Sequence, residues 1–239
     1  SIPTRAADTE AKSSASPSRT ELPAPSGGRA SMRDSKPPAV DPRLAGLQRA
    51  LPDLAETDLN PATTPGNAVQ AAVSLILRAG PDIELLLIRR AEAEGDPWSG
   101  HMALPGWRRD PLDESLLETA IRETLEETGL CLTESGVPFG PLAPLAPTNR
   151  RLPPISIFPF VFGVPEGTRA KAASPEVDEV LWAPVSYLRS EQASGTVEIP
   201  LPDNLPTWRM TAHAVTADTL VGETTADLVA ILPDRKSVV

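Results

Sequence analysis

The chain has almost no cysteine and no long apolar run. Of its 239 residues only Cys131 is a cysteine, so no disulfide can form within the chain, and a reducing compartment suits it. No apolar run approaches the roughly 20 residues that a membrane-spanning helix needs, and we find no apolar core of a secretory signal. These absences lead us to expect a cytoplasmic protein.

Positive charge is also scarce relative to negative charge. The chain has 22 Lys and Arg against 32 Asp and Glu, a formal net charge of −10. No basic run is long enough to override this acidity, which argues against general affinity for nucleic acids or anionic membranes. A small basic pocket for phosphates is compatible with it.

The first 40 residues lack the apolar side chains that a core requires. Their large aliphatic residues are Ile2, Leu22 and Val40, so burial cannot compensate for the loss of chain entropy, and we expect disorder. We predict three parts: a disordered or linker extension over 1–66 with a short helix at 41–51, one compact domain over 67–233, and a tail over 234–239.

Within the predicted domain the apolar periodicity alternates between strands and helices. Two aliphatic runs separated by a turn at residues 79–82 indicate a hairpin, and residues 95–107 are typical of a loop. A helix ending at Gly129 can be capped by Asp113 or Ser115. This order favours an α/β fold in which helices cover both faces of a mixed sheet. The predicted strands are 69–78, 83–90, 155–164 (an edge strand, because of Pro159) and 177–185, and the other predicted helical segments are 185–190 and 224–232.

The most informative segment is residues 122–129, Arg-Glu-Thr-Leu-Glu-Glu-Thr-Gly. On a helix at about 100° per residue, Glu123, Glu126 and Glu127 project over one side. Converging carboxylates repel one another unless a cation lies among them, and a hard divalent ion prefers oxygen ligands. A solvated glutamate-rich face is the alternative, which the pattern alone favours. A separate stripe that can face a core contains Leu117, Ala120, Ile121 and Leu125.

The surroundings of this segment resemble the Nudix box. In that motif a glycine, five variable residues, a glutamate and seven variable residues precede Arg-Glu, an apolar residue, any residue, Glu-Glu, any residue and glycine. Seven residues separate Glu114 from Arg122, as the motif requires, and Thr124 replaces the usual apolar residue. Trp107 stands where the family usually has a second glycine. Either the turn here accepts a side chain, or catalysis is weakened.

A second resemblance narrows the family to its coenzyme A pyrophosphatase-like branch. The loop before Glu114 is one residue longer than the usual box, as in that branch. The segment before the box also shares recognisable positions with it, namely Leu86, Leu87, Arg90, Ala91 and Gly100, although Gly95 stands near the place of a second arginine.

The resemblance implies a Nudix α/β/α sandwich and a hydrolase that cleaves the diphosphate bond of a small nucleoside diphosphate derivative, such as coenzyme A. It implies Mg²⁺ or Mn²⁺ as cofactor, and leaves monomer and homodimer open. The implied metal ligands are Glu123, Glu126, Glu127 and the carbonyl of Gly106. The implied catalytic residues are Glu126, Glu127 and Arg122, with Glu176 and Glu179 as other candidates for the general base and Glu114 bracing the loop or a second metal. Candidate substrate-binding residues are Arg90, Arg108, Arg150 and Arg151.

Three functions stay open at this point. The first is a metal-dependent Nudix pyrophosphatase acting on a coenzyme A-like compound. The second is a pyrophosphatase of ADP-ribose or of damaged nucleotides. The third is a Nudix-fold module that binds a nucleotide without cleaving it, which Trp107 suggests and the three intact glutamates oppose.

Overall fold

The computed structural model describes residues 40–61, 69–94, 99–146, 154–190, 193–199, 208–216 and 219–221. Within these ranges the chain forms ten strands in one sheet and four α-helices. The strands are β1 (Val69–Ala79), β2 (Ile83–Arg90), β3 (Met102–Ala103), β4 (Gly106–Arg108), β5 (Val137–Pro141), β6 (Ile155–Val164), β7 (Val177–Pro184), β8 (Ser194–Ile199), β9 (Trp208–Thr216) and β10 (Thr219–Val221). The helices are α1 (Pro42–Ala50), α2 (Leu116–Thr128), α3 (Leu132–Ser135) and α4 (Val185–Leu188), and a 3-10 helix spans Leu54–Glu56.

Strand β1 organises the sheet. It pairs antiparallel with β2, the next strand along the chain, and parallel with β6. The strand order is β5-β6-β1-β2-β3-β10-β9-β8, and in addition β4 pairs with β1 and β7 with β2. Because parallel and antiparallel pairs coexist, the sheet is mixed, as the sequence predicted.

Alternate side chains of β1 enter two separate cores, because successive residues of a strand point to opposite faces. Leu75 and Leu77 belong to the first core, which includes residues of α1 and α4. Ala72 and Ile76 belong to the second core, which includes residues of α2 and α3. Helices therefore cover both faces of the sheet, and the predicted α/β sandwich is confirmed.

Strand β6 has the predicted bounds but not the predicted edge position, since it lies between β1 and β5. The carbonyl of Pro159 accepts a hydrogen bond from Leu142 N (2.9 Å) on the β5 side. The proline nitrogen faces the same side, just beyond Pro141, the last β5 residue that pairs with β6. Because β5 has already ended at this point, no strand residue there requires a hydrogen bond from the position of Pro159. The proline is therefore accommodated inside the sheet, and the edge prediction is wrong.

Helix α1 and the residues after it pack onto the sheet. Asp41 caps the helix by accepting a hydrogen bond from Arg43 N at 2.8 Å. Leu44 is fully buried in the first core, and Leu54 packs against the second. The helix agrees with the predicted segment 41–51. However, this part of the predicted extension contributes side chains to both cores, which we did not expect from its composition.

The other predicted elements have mixed outcomes. Strand β7 and helix α4 agree with the predictions to within two residues. Strands β3 and β4 fall in or beside the segment 95–107, which we predicted to be a loop. They were not predicted, because two or three residues are too short to show alternation.

None of the helices in the described ranges combines the length and the apolar character needed to cross a membrane. Residues 1–39, the helix predicted at 224–232 and the tail lie outside the described residues.

Candidate active site

Helix α2 carries the acidic segment and has a cap at each end. Ser115 Oγ accepts a hydrogen bond from Glu118 N at 3.1 Å, so Ser115 rather than Asp113 is the N-cap. Gly129 ends the helix with φ 66° and ψ 7°, the left-handed conformation that the sequence predicted. The caps set the first and last residues of the helix and therefore the angular positions of its carboxylates.

The buried face of α2 is more polar than the sequence suggested. Leu125, which we expected to face the core, is 46% exposed, and the neighbouring Thr124 is fully buried instead. The hydroxyls of Thr124 and Ser74 lie 2.9 Å apart, and they lie 2.7 and 3.1 Å from the carbonyl oxygen of Ala120. A threonine is tolerated where the family usually has an apolar residue, because Ser74 on β1 provides a buried polar partner.

Asp113, in the loop before α2, anchors the side chain of Arg122. The guanidinium donates from Nε to Oδ1 and from Nη2 to Oδ2, both at 2.9 Å, a bidentate pair. Thr119 Oγ1 (2.8 Å) and Asp110 N (3.0 Å) donate to the same carboxylate. These hydrogen bonds, above all those from Arg122, lower the pKa of Asp113 from 3.8 to about 2. The loop is therefore braced by Asp113 and not by the side chain of Glu114, which is exposed.

The other end of the Arg122 guanidinium reaches two of the predicted metal ligands. Nη1 donates to Glu123 Oε1 at 2.8 Å and lies 3.3 Å from Glu126 Oε2. The Glu123 side chain is 13% exposed and that of Glu126 is 58% exposed. Burial raises the pKa of Glu123, and the hydrogen bond from Arg122 opposes this rise. As expected from sequence, Arg122 holds a glutamate by a charge-assisted hydrogen bond.

Glu127 is the most buried of the three glutamates, with 7% of its surface exposed. Its Oε2 accepts a hydrogen bond from Gly106 N at 2.9 Å. Burial raises the pKa of Glu127 to about 8; the Gly106 hydrogen bond and the charge of Arg90 oppose the rise, and the charges of Glu123 and Glu176 add to it. The negative charge of Glu127 is therefore poorly compensated by the protein itself.

Gly106 brings the backbone of β4 against β1. Its φ is 135°, and a Cβ at this position would lie 2.2 Å from Ala72 O and 2.6 Å from Val73 Cα. Both are backbone atoms of a central strand, so only glycine fits here. This close approach places Gly106 N against the Glu127 carboxylate.

Trp107 is a strand residue and not part of a tight turn. It pairs with Ala72 across β4 and β1, and it is 44% exposed. The guanidiniums of Arg90 and Arg108 lie over its ring, 5.4 and 5.3 Å from the ring centroid. The backbone thus accepts a side chain at this position, the first of the two alternatives that the sequence left open.

Glu123, Glu126 and Glu127 form what we call the acidic face of α2. This face has the donor chemistry of a divalent-cation site. In the described part of the chain, no three His, Cys, Asp or Glu side chains converge closely enough to hold an ion. Arg122 draws Glu123 and Glu126 to itself, and Gly106 N holds Glu127. All donors are oxygens, as Mg²⁺ and Mn²⁺ prefer, and burial penalises the charge of Glu127. The residues therefore fit a hard cation by donor type.

The remaining predicted residues are two further candidates for the general base and two for substrate binding. The charge of Glu176 raises the pKa values of both Glu123 and Glu127, so it lies near the acidic face. Glu179 instead pairs with Arg89 (3.2 Å). Arg150 and Arg151 lie outside the described residues.

Curated relatives resemble parts of this chain. An uncharacterized protein of Schizosaccharomyces pombe is 36% identical over 118 residues, which are 48% of this chain and 36% of that protein. The human mitochondrial coenzyme A diphosphatase NUDT8 is 35% identical over 100 residues, 40% of this chain and 39% of that protein. The uncharacterized Nudix hydrolase NudL of Yersinia enterocolitica is 32% identical over 145 residues, 61% of this chain and 63% of that protein. The chain therefore spans less than two thirds of the length of each.

A family model covers more of the chain than the first two of these relatives do. The model of the NUDIX domain matches residues 68–200, more than half of the chain, and this range contains β1, α2, Asp113 and the three glutamates of α2. The chain belongs to the Nudix family.

Proposed function

We propose that the protein is a divalent-metal-dependent pyrophosphohydrolase that cleaves the diphosphate bond of a nucleoside diphosphate derivative. The observation that carries this proposal is the buried Glu127, whose carboxylate accepts one hydrogen bond within the described ranges, from a backbone N–H, and has two acidic neighbours. A cation beside it would stabilise the charged form that burial disfavours. Membership of the Nudix family supports the reaction class.

The role of each residue follows from its contacts. Glu123, Glu126 and Glu127 would hold Mg²⁺ or Mn²⁺, with the Gly106 carbonyl as a further ligand. When bound, such an ion neutralises charge on phosphoryl oxygens and lowers the pKa of a coordinated water. Arg122 orients Glu123 and Glu126, because its other edge is fixed by the buried Asp113.

The general base is proposed among the same carboxylates. Glu126 is the most exposed of the three and lies at the open side of the acidic face, where it can accept a proton from a water molecule. Glu127 is the alternative that the Nudix resemblance leaves open. Glu176 is a further candidate, since its charge acts on Glu127, whereas Glu179 is engaged with Arg89.

For the substrate we propose a coenzyme A-type compound. The branch resemblance around residues 86–114 and the similarity to a coenzyme A diphosphatase over 100 residues support it. ADP-ribose and damaged nucleotides are the competing substrates. The single cysteine and the acidic composition suit a cytoplasmic enzyme of small molecules, without nucleic-acid or membrane partners.

A substrate panel tests the proposal. The purified protein with Mg²⁺ or Mn²⁺ should release a nucleoside monophosphate or phosphoadenosine-type product from coenzyme A, ADP-ribose or an oxidised nucleotide. EDTA and Glu126→Gln should each abolish this release, while the far-ultraviolet circular dichroism stays unchanged. Glu134→Gln, an exposed glutamate on α3, is the matched control and should keep full activity. Tight nucleotide binding without turnover of any panel member would instead favour the binding-module function.

A further inference from the structure

Arg108 differs in its surroundings from several other arginines of the described residues. Carboxylates pair with four of those arginines, namely Arg43, Arg78, Arg89 and Arg122. In the same described ranges no carboxylate pairs with Arg108, whose side chain is held by the ring of Trp107. Arg108 is exposed, so its guanidinium faces solvent at the end of β4.

A contact with an aromatic ring leaves an arginine ready to bind an anion. A cation–π contact is an attraction between the charge and the ring and needs no hydrogen-bond acceptor, so it does not occupy the five N–H donors of the guanidinium with an oxygen. Those donors match the spacing of phosphate oxygens and can bind two of them at once. The indole of Trp107 therefore restrains Arg108 without using its hydrogen-bond donors.

A second guanidinium lies over the same ring. Arg90, at the end of β2, lies 5.4 Å from the Trp107 centroid, and its charge acts on Glu127. Trp107 also follows Gly106, whose N–H binds Glu127. The ring that holds both guanidiniums therefore directly follows the residue that binds Glu127, and one of the two charges acts on that carboxylate.

We propose that Trp107 is a positioning residue that holds Arg90 and Arg108 as an anion subsite for a phosphate group of the substrate. The subsite lies beside the acidic face and rests on the proposed function for the identity of the substrate. Its ligand is a phosphate oxyanion, supplied either by the diphosphate that is cleaved or by a separate phosphomonoester on the same molecule. The indole thereby has a role at the position where the family usually carries glycine.

Binding measurements can test this subsite without turnover. The probe is adenosine 5′-(α,β-methylene)diphosphate, whose P–C–P linkage cannot be hydrolysed, titrated by calorimetry in Mg²⁺. We expect Arg108→Ala to raise the Kd roughly fivefold, the effect of one exposed charge pair. Trp107→Leu should raise it roughly two- to fivefold, and Trp107→Phe should retain most of the affinity because a ring remains. Arg49→Ala, an exposed arginine on α1 at the opposite face of the sheet, should leave the Kd unchanged.

A double variant separates positioning from general structural damage. If Trp107 acts through the two arginines, the loss of affinity in the double variant Trp107→Leu/Arg108→Ala should be smaller than the sum of the two single losses, and what remains beyond Arg108→Ala is the part carried by Arg90. Full additivity of the two losses, or a tighter complex of Trp107→Gly than of the wild type, would overturn the positioning role.

A pair of ligands identifies the source of the phosphate. Adenosine 3′,5′-bisphosphate and adenosine 5′-monophosphate differ by one phosphomonoester. If Arg108→Ala loses affinity for the bisphosphate alone, the subsite binds a separate phosphomonoester. If Arg108→Ala loses affinity for the methylene diphosphate, the subsite binds the diphosphate. An Arg108→Ala protein that binds all three probes like the wild type would eliminate the subsite, even if the panel assay shows turnover. Conversely, Arg108-dependent binding without turnover would sustain the subsite and count against the hydrolase.

Discussion

Asp113 and Glu127, one before helix α2 and one near its end, are both buried carboxylates, yet their pKa values move in opposite directions. The pKa of Asp113 falls to about 2 and that of Glu127 rises to about 8. Burial opposes ionisation at both sites, so burial alone cannot explain the difference. Asp113 has a bidentate guanidinium, whereas Glu127 has one backbone N–H. The protein itself compensates the first charge, and the second is the one that a bound cation would compensate.

Arg122 connects the structural carboxylate Asp113 to the glutamates of α2. One edge of its guanidinium saturates Asp113, and the remaining nitrogen reaches towards Glu123 and Glu126. A structural ion pair thus orients the ligands that we assign to the metal. Substitutions at Asp113 and Glu127 should therefore separate the structural carboxylate from the functional one.

The largest expected effect is on activity, in Glu127→Gln. Glutamine keeps the volume and an acceptor for Gly106 N but removes the charge, so we expect kcat to fall by roughly 10²- to 10⁴-fold. The free energy of unfolding without metal should stay equal or rise at neutral pH, because glutamine is neutral and avoids the burial cost that raises the pKa of Glu127. Steady-state kinetics on a substrate of the wild type and urea unfolding measure the two quantities. A variant with wild-type kcat would remove Glu127 from the site.

Gly106→Ala should be the most destabilising change. The methyl group would lie 2.2 Å from Ala72 O at a φ of 135°, so strand β4 must separate from β1. We expect a loss of about 2–4 kcal/mol in the free energy of unfolding, measured with urea. Gly46→Ala is the control: a Cβ there meets nothing within 4 Å inside helix α1, and stability should rise by about 0.5–1 kcal/mol. Equal effects of the two substitutions would contradict the close approach of β4.

Asp113→Asn should destabilise the fold in a pH-dependent way. The folded-state pKa of about 2 lies below the ordinary 3.8, so ionised Asp113 stabilises the fold above about pH 4. The difference corresponds to roughly 2 kcal/mol, which is lost as the pH falls through about 2. In urea unfolding, the free energy of unfolding of the variant should be about 2 kcal/mol lower than that of the wild type at pH 7. This difference should disappear between pH 4 and 2. A gap that stays constant down to pH 2 would show that Asp113 acts by some means other than its charge.

The smallest expected effect is at the buried hydroxyl pair. Thr124→Val keeps the shape but leaves Ser74 without its hydroxyl partner, so we expect a loss of about 1 kcal/mol in unfolding free energy. Adding Ser74→Ala to Thr124→Val should cost less than the sum of the single changes, because the two side chains share one network. Strict additivity of the two changes would mean that the pair does not interact.

Features that depend on nearby residues were predicted well from the sequence. Strands β2 and β6 have the predicted bounds, and Gly129 ends α2 as its position indicated. The roles of Asp113 and Thr124 were missed. Asp113 stands next to Glu114, which the motif spacing favoured, and only the folded loop shows which of the two carboxylates faces Arg122. A possible signal was the buried Thr119, one helical turn before Arg122, which also binds Asp113.

The sequence by itself determined the Nudix box, the capped acidic helix and the mixed α/β architecture, because periodicity, capping and motif spacing depend on residues within a few helical turns of one another. Only the tertiary structure decided which carboxylates are buried, that Trp107 carries two guanidiniums, and that β6 is an inner strand. These properties depend on partner atoms from distant strands, such as Ala72 against Gly106 and Ser74 against Thr124, and a local pattern contains no information about them.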